Sequence, residues 1–153
     1  MEVTLEALQK AWRQATESEK KMLNNLYGED KCQPKDITER VKSYEDAMKE
    51  NGKTPKTVDS YDGDEGEFAF HQLKEIYIAL NEGHVFDWQN PNERKWNVVM
   101  NMSAAGGPAF CDSDAWATDS GCGSRLSLKE KRLSDYVGRQ FLPILIKFYS
   151  QNQ

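Results

Sequence analysis

The sequence predicts an α+β domain: three N-terminal helices, a three-stranded antiparallel meander, and a long C-terminal helix packed on the sheet. Three observations predict it. Apolar residues recur at helical spacing up to Leu80, the period shortens to two from Trp96, and helical spacing returns after Leu128. Gly-rich turns separate the alternating stretches, which favours antiparallel neighbours. At 153 residues the chain is expected to form a single domain, spanning 1–153, with a core large enough to fold unaided.

Leu5, Leu8, Trp12, Ala15, Met22, Leu23 and Leu26 mark a first helix over 5–27, with Thr4 as cap and Gly28 as stop. Ser18 and Glu19 interrupt its apolar line, so the segment 1–28 either rests on two neighbours or projects as an interaction arm. Asp36 with Glu39 three residues on is a capping-box spacing, which starts a second helix that ends at Asn51-Gly52. Residues 53–66 have neither periodicity and form an acidic loop. Its Asp62, Asp64 and Glu65 lack EF-hand spacing, because Gly66 falls at the fifth position rather than the sixth.

A third helix runs from about Glu67 to Glu82. Trp96, Val98, Met100 and Met102 then alternate with Asn97, Val99, Asn101 and Ser103 in a half-buried strand, Ala104 to Pro108 turn, and 109–117 form the second strand. Arg125 to Leu128 read as a short third strand running into a helix over about 128–149, which Ser127 and Glu130 would cap and Pro143 would kink.

The net charge of −5 opposes a chain that coats nucleic acid, yet the charge is uneven: residues 29–67 carry −5 and residues 125–153 carry +4. Three cysteines, Cys32, Cys111 and Cys122, cannot form a complete disulfide framework, which points to a reducing compartment. The acidic start and the absence of any apolar run near about 20 residues lead to the expectation of a soluble, cytoplasmic protein with no membrane partner. No phosphate-binding glycine loop, metal-ligand spacing or nucleophile–base pair is visible, so neither cofactor nor metal nor catalytic residue is assigned.

On the second strand, strict alternation places Phe110, Asp112, Asp114 and Trp116 on one face. Exposing aromatics costs less than burying aspartates, so this face is expected outward, with Arg125 beside it, as a partner-binding surface. The plainer account is a cross-strand pair of Asp112 or Asp114 with Arg125.

Asp36 to Ala47, Ala79-Leu80-Asn81-Glu82-Gly83 with Asp87-Trp88, Gly123-Ser124-Arg125-Leu126, and Gln140-Phe141 together resemble a family of small uncharacterised proteins of Bacteroidetes phages and mobile elements. The resemblance covers about residues 35–150. The chain departs from it at His84-Val85-Phe86, where tryptophan and proline are usual, at Asn97-Val98-Val99, where aromatics cluster, and at Ser127, where cysteine is common. The resemblance implies a phage setting and transfers no activity. With the composition, it leads to the expectation of a non-enzymatic protein that binds and inhibits a bacterial host protein, such as a CRISPR effector nuclease or another defence factor. Two alternatives are a nucleic-acid-binding module using Lys129, Lys131, Arg132 and Arg139, and a self-assembling virion or scaffold component using the first helix.

Overall fold

A computed structural model describes residues 3–33, 35–103 and 105–150. The chain divides into two compact units, residues 1–36 and 37–153.

In the first unit the single helix expected over 5–27 is two helices, Leu5–Gln14 (α1) and Glu17–Tyr27 (α2), followed by the short Glu29–Cys32 (α3). Thr16 causes the break. Its hydroxyl accepts from Glu19 N while the Glu19 carboxylate takes Thr16 N at 2.7 Å, a capping box that restarts the helix after an extended Ala15. Gly28, at φ 92°, makes the turn that a residue with a Cβ would make only under strain. Trp12 Nε1 donates to Asn24 Oδ1 at 2.8 Å, which ties α1 to α2.

The second unit is α+β, but its sheet has two strands rather than three. Ile37–Arg40 (α4) and Tyr44–Glu50 (α5) replace the one helix expected from Asp36. The capping box that operates is Ser43 with Asp46, whose carboxylate also takes Lys42 N. Within the acidic loop Val58–Tyr61 coil into a 3-10 turn, and Asp64 caps Glu65–Asn81 (α6) by accepting from Gly66 N and Glu67 N, both at 2.9 Å. Glu75 on α6 is 2% exposed; burial pushes its carboxyl up, but hydrogen bonds from Lys53 and Asn51 outweigh this and leave it below the usual value.

Lys95–Asn101 (β1) and Ala109–Trp116 (β2) pair antiparallel. The expected intervening turn includes Ala104, which lies outside the described residues. The proposed third strand fails because its backbone is committed elsewhere. Ser124–Leu126 coil into a 3-10 turn, Ser127 Oγ reaches Asn97 Oδ1 and Gly123 O, and Lys129 N donates to Asn81 Oδ1. Of the proposed strand, Leu128 bridges to β1, as an isolated pair with Trp96 with both N–O distances at 2.8 Å.

The expected long last helix is likewise two, Lys131–Gln140 (α7) and Leu142–Tyr149 (α8). They break at Phe141, with Pro143 in the first turn of α8, where its missing N–H costs no helical bond. Glu130, not Ser127, is the residue before α7. The core of this unit joins Ile37, Val41 and Met48 to Leu73, Ile76 and Leu80 of α6 and to Leu133, Val137 and Leu145 of α7 and α8.

Candidate functional site

The residues predicted for the outer sheet face do not form one surface. Between Val99 and Met100 the register shifts: Val99 pairs with Asp112 but Met100 pairs with Phe110, leaving Cys111 as a bulge. The extra residue inverts the alternation. Asp112, Asp114 and Trp116 stay exposed, while Phe110 turns towards α7, half-buried against Gly138 and 5.9 Å beneath the Arg139 guanidinium. Arg125 lies on the 3-10 turn and pairs with neither aspartate.

The two aspartates have a local task. Trp96 directs its N–H and C=O to Leu128, so the opposing Ala115, and Ser113 two residues away, present their own amides on the free edge of β2. Asp114 Oδ1 takes Ala115 N and Asp112 Oδ1 takes Ser113 N, each at 2.7 Å. Carboxylates on edge amides oppose the addition of another strand. Replacing both aspartates with alanine is therefore expected to leave the fold intact and produce concentration-dependent self-association by sedimentation; a variant that stays monomeric refutes the edge-blocking role.

The structure instead assembles a cleft of about 550 Å³ lined by Ile78, His84, Val85, Phe86, Trp88 and Arg125, among others. Its floor is the C-terminal end of α6, where Glu82 adopts a left-handed φ of 48° and the chain leaves the helix. Asn81 fixes one wall: its Nδ2 donates to Ser127 O at 2.8 Å and its Oδ1 accepts Lys129 N at 3.0 Å, holding the 124–129 segment to α6.

The other wall is the loop after α6, pinned by two charged residues. Lys95 is fully buried, and its Nζ donates to Asp87 O at 2.5 Å, Ala117 O at 2.7 Å and Glu93 O at 3.1 Å, with Trp88 stacked 5.2 Å away. Three carbonyls and the Glu93 carboxylate at 3.1 Å offset the cost of burying that ammonium. Glu93 completes the brace by accepting from Asp87 N and bonding His84 Nε2, both at 2.7 Å. Burial raises the Glu93 carboxyl, and the Lys95, Asp87 and His84 bonds more than reverse it, so it sits below the usual range.

The result is a pre-set ring cluster. His84 and Phe86 meet edge to face at 4.9 Å and Phe86 and Trp88 lie 6.3 Å apart, while Val85 projects outward at 86% exposure. Arg125, exposed, has no hydrogen-bond or ion-pair partner among the described residues.

The cations considered for nucleic acid are mostly engaged: Lys129 with Glu82, Lys131 with Asp135 and Asp112, Arg132 with Glu130, and Arg139 over Phe110. Cys111, Cys122 and His84 lie in separate surroundings. Cys122 Sγ bonds Asn97 Oδ1 at 2.8 Å, with burial raising its thiol, His84 faces Glu93, and Cys111 occupies the exposed bulge. Among the described residues no helix is long and apolar enough to cross a membrane.

Comparison with protein-family models, curated proteins and solved structures finds no match to this chain.

The cleft is built from non-strand segments, so period-two alternation does not mark it. Its signal in the sequence was the pair of stretches Asn81 to Trp88 and Gly123 to Leu126, which the fold brings face to face.

Proposed function

We propose that this protein is a non-enzymatic binding protein that docks on a partner protein through the cleft between the 84–88 loop and Arg125. The observation that carries the reading is the exposed, unpaired Arg125 guanidinium beside Ile78, Val85, Phe86 and Trp88. Tryptophan and arginine around an apolar depression are the composition of binding hot spots, and a loop braced in advance loses little entropy on docking. The matching partner feature is an apolar side chain next to a carboxylate. The pairing of Lys129, Lys131 and Arg132 with carboxylates supports a protein rather than a nucleic acid as partner. The sequence resemblance supports a phage or mobile-element setting; within it the proposed partner is a protein of the bacterial host that docking inhibits, a CRISPR effector nuclease or other defence factor being the most concrete form.

Selection from a displayed random-peptide library tests the binding reading. Enriched peptides are expected to carry Asp or Glu within two positions of Leu, Ile, Phe or Trp, and Arg125→Glu is expected to weaken them by about 30-fold, the equivalent of roughly 2 kcal/mol for a hot-spot residue. Enriched peptides that bind Arg125→Glu and Val85→Asp as tightly as the parent would overturn the reading.

A further inference from the structure

A second cavity, of about 460 Å³, lies elsewhere on α6 and is lined by Tyr61, Gly66, Glu67, Phe70, His71, Lys74 and Phe148. Its volume is within the range of small-molecule sites. Rings make most of its wall: Phe70 stacks with Phe148 at 5.8 Å, and Tyr61 lies over the His71 imidazole at 5.4 Å. A separation of 5.8 Å leaves no gap for a third ring between Phe70 and Phe148, so a planar guest lies beside them, against Tyr61.

His71 gives this cavity a directed polar group. The residue is 7% exposed, and its Nε2 lies 3.1 Å from Tyr44 Oη. Tyr44 Oη already accepts Lys56 N at 3.0 Å and has no other acceptor, so its own proton goes to His71 Nε2. That bond assigns the imidazole proton to Nδ1. Nδ1 has no hydrogen-bond partner among the described residues. His71 lines the ring-lined cavity, and its imidazole N–H is without a protein partner among the described residues. Burial, then Lys74, lowers the His71 pKa, which keeps the ring neutral near pH 7.

Lys74 sits one turn beyond Phe70 on the same face of α6, its side chain 31% exposed and its nearest carboxylate, Glu75, 3.7 Å away and already held by Lys53 at 2.8 Å. Glu67 stands about 10 Å back along the helix from Lys74. The face is thus positive at one end and negative at the other, which suits a single anionic group and opposes two.

We propose that this cavity binds a small planar aromatic monocarboxylate, its ring against Tyr61, Phe70 and Phe148 and its carboxylate on His71 Nδ1–H and the Lys74 ammonium. An NMR titration of the full chain with indole-3-acetate, and separately with uncharged indole, tests it. Saturable shifts of the Phe70, His71 and Phe148 ring signals are expected with indole-3-acetate, with at least fivefold weaker binding of indole. Lys74→Glu, a change at a partly exposed position, is expected to remove that preference while indole binding persists. Absence of saturable shifts, indole binding as tight as indole-3-acetate, or an unchanged preference in Lys74→Glu overturns the proposal.

Discussion

Lys95→Met is expected to destabilise the protein by about 3 kcal/mol, the cost of leaving buried carbonyls and a carboxylate without their cation. Lys95 is 0% exposed and holds Asp87, Glu93 and Ala117 by their backbone oxygens. Methionine fills the space but offers no proton to any of them. In a domain of this size the loss corresponds to roughly 6–12 °C in Tm. The control is Lys129→Met. Its partner Glu82 is 33% exposed, so less than about 1 kcal/mol is expected there. Denaturant unfolding measures both, and hydrogen exchange adds a local readout: amides of residues 84–94 should lose protection in Lys95→Met even under conditions where the rest of the chain is native. Equal small losses in the two variants would mean that the buried ammonium does not hold the cleft loop.

Gly138→Ala is expected to cost about 1–3 kcal/mol, although alanine is the better helix former by about 1 kcal/mol. A Cβ at Gly138 would lie within the van der Waals envelope of the Phe110 ring. Shortening the ring should relieve the clash, so in Phe110→Leu the same glycine change should cost at least 1 kcal/mol less. The cycle also decides where Phe110 points. Were it on the exposed face with Asp112 and Asp114, Gly138→Ala would be neutral or stabilising and the two sites would not couple.

Phe110 shows how the sheet escaped a reading by alternation. The period-two pattern from Trp96 was sufficient to locate β1 and β2, and it correctly places Asp112, Asp114 and Trp116 outward. A single unpaired Cys111 then reverses the face of everything before it, and a bulge has no compositional mark when its residues are ordinary strand formers. The helix breaks are marked in the sequence. Thr16 with Glu19 and Ser43 with Asp46 carry capping-box spacing inside what apolar periodicity alone reads as continuous helix. Periodicity averages over a window, whereas one cap redirects the backbone within two residues. Arg125 to Leu128 failed for the opposite reason: extended-looking residues were drawn into a 3-10 turn by Ser127 and by Asn81, a partner 46 residues away that local sequence does not reveal.

The cleft depended even more on distant partners. Lys95 reads as a solvent-facing charge at a strand entry, because lysine is almost never fully buried unless its ammonium is satisfied. That satisfaction comes from backbone oxygens at 87, 93 and 117. The sequence places Arg125 beside Asp112 and Asp114 on a partner-binding sheet face; the turn moves it to the cleft that Phe86 and Trp88 also line.

The central claim is that Arg125 is an unpaired cation in a braced apolar cleft, ready for a carboxylate on a partner. The most direct measurement is a double-mutant cycle by calorimetry, pairing Arg125→Ala with neutralisation of the acidic residue in a library-selected peptide. The account predicts a coupling of at least about 1 kcal/mol, roughly fivefold in Kd. Independent, additive effects of the two changes would contradict it.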